Sequence, residues 1–74
     1  MRSWLIELRQ KRNLSQADIA KMLGITQSYY SLIENGERQS DLNLSTAEKL
    51  SKIFKISLKK IGEYEKQTED KHNE

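Results

Sequence analysis

Residues 14–36 read LSQADIAKMLGITQSYYSLIENG, and this stretch decides the fold. It contains two short helices, each with its own start and stop. Ser15 can accept a bond from a first-turn backbone N–H, and Asp18, three residues on, makes a short-armed capping box. Ile19, Ala20, Met22 and Leu23 supply an apolar face, and Gly24 ends the helix as a C′ glycine does. Ile25 then leads into Thr26, a second N-cap, and a third helix from about Gln27 to Glu34. Asn35 and Gly36 close that helix, since both tolerate positive φ. The result is a pair of helices of roughly two turns each, joined by a short segment containing glycine.

Outward from this pair the pattern stays helical. A first helix is expected from about Arg2 to Arg12, with Leu5, Leu8 and Arg12 on one stripe and Trp4 beside Leu8. The stretch Glu37 to Asn43 is polar and reads as a loop. A fourth helix follows from about Ser45 to Phe54, where Leu44, Ala47, Leu50, Ile53 and Phe54 recur at helical spacing. Ser57 can cap a short fifth helix carrying Leu58, Ile61 and Tyr64. Beyond Glu65 nothing is periodic or apolar. The expectation is therefore an all-α fold, a compact bundle of five short helices over residues 1–64, with 65–74 a charged, disordered tail.

Composition narrows the function. The chain has 74 residues, no cysteine, no proline and a net charge of +2. Residues 1–64 carry eleven basic and seven acidic side chains, a balance of +4 that suits a polyanionic partner, and the last ten residues are acidic. Disulfide-built secreted classes drop out. No apolar run approaches the roughly 20 residues that span a bilayer, and Met1 to Glu7 does not resemble a signal peptide. A cytoplasmic protein with no membrane partner is expected. His72 is the only histidine, so no metal-ligand cluster forms, and no Gly-rich phosphate loop or nucleophile elbow appears. No enzymatic activity, metal or cofactor is expected.

The third helix carries the functional signal. With Gln27 at zero and about 100° per residue, Tyr30 and Ile33 define a buried side near 240–300°. The opposite side holds Ser28, Ser31, Asn35 and, off centre, Leu32, with Gln27 on the flank near the N-terminus. Surface helices usually present Lys and Glu there, and this one does not. Short hydrogen-bonding side chains suit close approach to base edges in the major groove, where Gln pairs with adenine and Ser with several bases. The plainer alternative is that these are solvated positions, with Ser28 continuing the cap begun by Thr26.

The whole stretch Leu14 to Gly36 resembles the lambda-repressor-like, or xenobiotic-response-element, family of helix-turn-helix regulators of bacteria and phages. The resemblance extends over roughly residues 5–62. It rests on the Ser15-Gln16 opening, Ala20 at the helix crossing, Gly24 in the turn, Ile25 and Tyr30 in the core, and Ile33-Glu34-Asn35-Gly36 at the end. It implies a sequence-specific regulator, repressor or controller, of double-stranded DNA. By that resemblance Gln27 and Ser28 read bases, Leu32 adds a base or thymine-methyl contact, and Ser31 is a further base-reading candidate. Gln16, Tyr29 and Asn35 match phosphate-contacting positions, while Thr26 and Arg38 are candidates for the same role. Arg9 and Glu34 match a structural pair tying the first helix to the end of the third. The departure from the family lies between Glu37 and Thr46, where Gln39 to Asn43 replaces a shorter loop that usually holds proline.

Single modules of this type discriminate weakly and gain affinity as two-fold dimers on half-sites about 34 to 36 Å apart. A homodimer on a pseudo-palindromic operator is expected, formed in solution or only on DNA. Leu58, Ile61 and Tyr64 are its candidate interface, with packing on the protein's own core as the alternative. No small-molecule ligand is expected. The rival function is that of an antitoxin or adaptor whose main partner is another protein.

Overall fold

The computed structural model describes residues 1–36 and 42–72, with side chains described as far as residue 67. The described residues form five helices and no strand: α1 (Ser3–Lys11), α2 (Gln16–Leu23), α3 (Gln27–Asn35), α4 (Leu44–Phe54) and α5 (Leu58–His72). Arg38 and most of the polar loop lie outside the described residues.

Local chemistry sets the boundaries of the central pair. The Ser15 hydroxyl accepts from the Asp18 N–H at 3.0 Å while the Asp18 carboxylate accepts from the Ser15 N–H at 2.8 Å, so the capping box is complete. At the other end of α2, Gly24 takes φ 74° and ψ 32°. That left-handed turn lets the Ile25 N–H reach the Ala20 carbonyl and the Gly24 N–H reach the Lys21 carbonyl, a Schellman closure that satisfies two end carbonyls. Two residues later the Thr26 hydroxyl accepts from the Tyr29 N–H at 3.1 Å and starts α3. The turn is thus fixed by one glycine and the Thr26 cap, and the start of α2 by the Ser15–Asp18 pair. α4 begins one residue before the expected Ser45, because Asn43, read from sequence as loop, caps it by accepting from the Thr46 N–H at 2.9 Å.

All five helices contribute to one core: Trp4 and Leu5 from α1, Ile19, Ala20 and Leu23 from α2, Tyr30 and Ile33 from α3, Ala47, Leu50 and Phe54 from α4, and Ile61 from α5. α2 packs chiefly on α3, with Ala20 buried on its inner face. A larger residue there would separate the two helices and tilt α3.

Four expectations need correction. Met22, assigned to the apolar face of α2, is 54% exposed; it lies about 100° round the helix from the centre of the Ile19–Ala20–Leu23 stripe. Leu44, the first residue of α4, is likewise exposed, about 90° from the stripe of Ala47, Leu50 and Phe54. Of the three candidate interface residues, Ile61 is 3% exposed in the protein's own core and Tyr64 stacks on Trp4 with ring centroids 5.4 Å apart. Leu58 is exposed and Tyr64 half-buried, while Ile61 takes the alternative course of packing on the protein's own core. Finally, α5 does not stop near Tyr64 but continues to His72. Residues 64–72 contain no proline or glycine and are mostly good helix formers, and Glu65, assigned to the tail, is anchored to α1 and Arg2.

Candidate nucleic-acid interface

α3 has two unlike sides. Tyr30, Ile33 and Glu34 face inward and are buried. Gln27, Ser28, Ser31, Leu32 and Asn35 face outward and are exposed, Leu32 at 40%. Among the described residues, none of these five makes a side-chain hydrogen bond or ion pair. The helix therefore carries an exposed, uncharged row of donors, acceptors and one aliphatic side chain. The 3.6-residue period brings these five together on one face, as the sequence implied. Thr26 stands exposed at the N-terminal end of that row. Tyr29 is half-buried against the core.

The inner side is a tight electrostatic joint. Glu34 is buried, and its carboxylate accepts from Arg9 Nε at 2.6 Å and Nη2 at 3.4 Å, and from Gln16 Nε2 at 2.9 Å. Arg9 Nη1 also donates to the Leu14 carbonyl at 2.9 Å, in the α1–α2 turn. One carboxylate thus joins α1, the start of α2 and the end of α3. Burial alone would raise the Glu34 carboxyl; the bonds from Arg9 and then Gln16 outweigh it and hold the group below its ordinary value of 4.5. Arg9 is pushed the other way, chiefly by its bond to Glu34. The Tyr30 hydroxyl is buried beside this pair, and desolvation, followed by its interaction with the Glu34 carboxylate, pushes its pKa upward. Gln16, which the resemblance assigns to phosphate contact, is half-buried and donates to Glu34.

Sequence reasoning missed a second joint. Arg2 is 1% exposed. Its backbone N–H donates to the Glu34 carbonyl at 2.8 Å and its Nη1 to the Ile33 carbonyl at 2.5 Å. Its Nε donates to Glu65 at 2.8 Å, and the same carboxylate oxygen accepts from Trp4 Nε1 at 3.0 Å. Arg2 and Glu65 stand 63 positions apart, so no local pattern could pair them.

Among the described residues no group of three or more His, Cys, Asp or Glu side chains could hold a metal ion, and no helix is long and apolar enough to cross a membrane. A helix-turn-helix family model matches residues 5–61. The chain belongs to the helix-turn-helix family, in its xenobiotic-response-element, lambda-repressor-like branch. The matched span runs from the buried Leu5 to the buried Ile61, so it takes in the core contributions of all five helices of this helix-turn-helix domain. The chain is also similar to an uncharacterized HTH-type transcriptional regulator, YqaF, of Bacillus subtilis (strain 168), with 38% identity over 45 residues. That alignment includes 61% of this chain and 59% of the relative, so the chain matches less than two thirds of the relative's length. No solved structure matches significantly.

Proposed function

We propose that this helix-turn-helix protein is a DNA-binding transcriptional regulator that inserts α3 into the major groove. The observation that carries the reading is the outward face of α3. Five exposed, uncharged side chains, with no hydrogen bond or ion pair among the described residues, stand on a helix whose inner side is fixed by a largely buried ion pair. Gln27 and Ser28 at the start of the helix, with Ser31 and Leu32 one turn on, read base edges. Thr26, Tyr29 and Asn35 flank that row and contact phosphate, which positions the helix without specifying sequence. Gln16 shares the Glu34 joint and contacts phosphate only with atoms that the joint leaves free. Arg38 is a further phosphate contact in this proposal. The balance of +4 over residues 1–64 supplies the non-specific attraction.

In this reading the protein acts in the cytoplasm as a homodimer on a pseudo-palindromic operator, with Leu58 as the apolar contact remaining from the original three. It has no enzymatic activity and takes no small-molecule ligand. The test is binding to a duplex from the upstream region of the protein's own gene beside a scrambled duplex, across a salt series. Salt-sensitive binding that prefers the native duplex by about 10³ or more supports the proposal. If binding is equal and weak on both, selection from random DNA follows. Failure of that selection to yield a consensus contradicts the reading and favours a protein partner.

A further inference from the structure

α3 ends without a basic residue in its last turn, where a cation would offset the helix dipole and the open carbonyls. The cation comes from elsewhere in the chain. Arg2 arrives from the residue before α1, its backbone N–H on the Glu34 carbonyl and its guanidinium on the Ile33 carbonyl. It thereby closes the terminal turn of α3 from outside the helix. Gly36 lies beside this approach: a Cβ there would meet Arg2 Cγ, Arg2 N and Met1 Cα in ordinary van der Waals contact at 3.5 Å, so the glycine answers to its φ of 71° and not to crowding.

A buried guanidinium is retained only when it is paired, and its partner is Glu65 of α5. The Glu65 carboxylate also accepts from the Trp4 indole, and the Trp4 ring stacks on Tyr64 at an interplanar angle of 18°. The end of α3 is therefore linked to α5 through Arg2. Packing between the two helices is slight compared with that of α2 on α3 or α4 on α5. On its other side, Arg9 and Gln16 hold the Glu34 side chain. The last turn of α3 is thus gripped twice, by its side chain from α1 and α2, and by its backbone from Arg2 and α5.

We propose that Arg2 and Glu65 are positioning residues for DNA reading: Glu65 sets the guanidinium, and the guanidinium sets the angle at which α3 presents Gln27, Ser28, Ser31 and Leu32. Neither residue touches DNA. The inference rests on the reading of α3 as the recognition helix, and it makes α5 a route by which anything bound to that helix alters base discrimination.

The experiment compares wild type, Glu65→Ala and Arg2→Lys on the operator and the scrambled duplex, with amide exchange followed at Asn35 and Gly36 and, as an internal standard, at Leu50. Glu65→Ala is expected to lower operator binding about tenfold, the size of one lost base contact, while scrambled-duplex binding changes less than about twofold. Arg2→Lys keeps the charge but loses the fork, and should show the same selective loss. Amide exchange at Asn35 and Gly36 should rise in both variants while Leu50 keeps its protection. Equal losses on the two duplexes, or unchanged exchange at Asn35 and Gly36, overturn the proposal. Should Glu65→Ala fail to fold, Glu65→Gln keeps the shape and an acceptor while removing the charge, and the same criteria apply. If wild type itself shows no operator preference, the recognition-helix reading fails, whereas the exchange data still decide whether α5 holds the end of α3.

Discussion

The two sides of α3 obey opposite rules. The inner side satisfies nearly every polar group: Glu34 takes three hydrogen bonds from two residues, and the carbonyls of Ile33 and Glu34 are capped by Arg2. On the outer side, no side-chain hydrogen bond or ion pair forms among the described residues. A helix held from its inner side in this way suits the proposed recognition role, because preorganised groups lose little entropy on binding. The comparison also separates two kinds of mutational effect. Inner-side changes should appear as lost stability, and outer-side changes as lost binding.

The largest effect is expected on the inner side. Glu34→Ala leaves Arg9 unpaired in a site where its side chain is 13% exposed, and should destabilise the fold by about 3 to 5 kcal/mol in chemical denaturation. A loss below about 1 kcal/mol would show that the joint is dispensable. The same carboxylate sets an acid limit. Its folded-state pKa is depressed, so the stability it contributes is present above its ordinary value of 4.5 and is lost as pH falls below that value. Wild type should therefore lose stability in that range, and Glu34→Gln should show a shallower decline there, measured by thermal unfolding across the acid series. An identical pH profile in the two proteins would remove Glu34 from the account.

On the outer side, Gln27→Ala should leave the unfolding midpoint unchanged while weakening operator binding by about 1 to 3 kcal/mol. A drop in stability of that size, with binding intact, would invert the comparison. Smaller effects come from the helix ends. Gly24, Gly36, Asn13 and Lys55 all adopt positive φ, and lysine is the poorest fit of the four for that conformation. Lys55→Gly should therefore raise stability by about 1 kcal/mol, and Ser15→Ala, which breaks the capping box, should lower it by about 1 kcal/mol. Both are read from the denaturation midpoint. Neither should change operator preference.

Legibility in the sequence follows the range of the interactions. The starts of α2 and α3, the left-handed glycines after them and the split between the faces of α3 depend on neighbours within four residues, and Ser15, Gly24, Thr26, Tyr30 and Ile33 announced them. The family resemblance placed Arg9 opposite Glu34, a pairing that periodicity alone does not give. Arg2, Glu65 and the full length of α5 were not legible. A polar helix has no apolar period to mark it, and the bond that ties Glu65 to Arg2 spans almost the whole chain. Met22 and Leu44 were misassigned for a different reason: apolar identity was taken for inward direction, whereas the stripes they adjoin were already complete without them.

The claim at the centre of this account is that the outward face of α3 reads bases. It is tested most directly by selecting preferred duplexes from random DNA with wild type and with Gln27→Ala, then comparing the two consensus sequences position by position. The account predicts that the variant loses preference at one position of each half-site and retains it elsewhere. The same consensus from both proteins would contradict it.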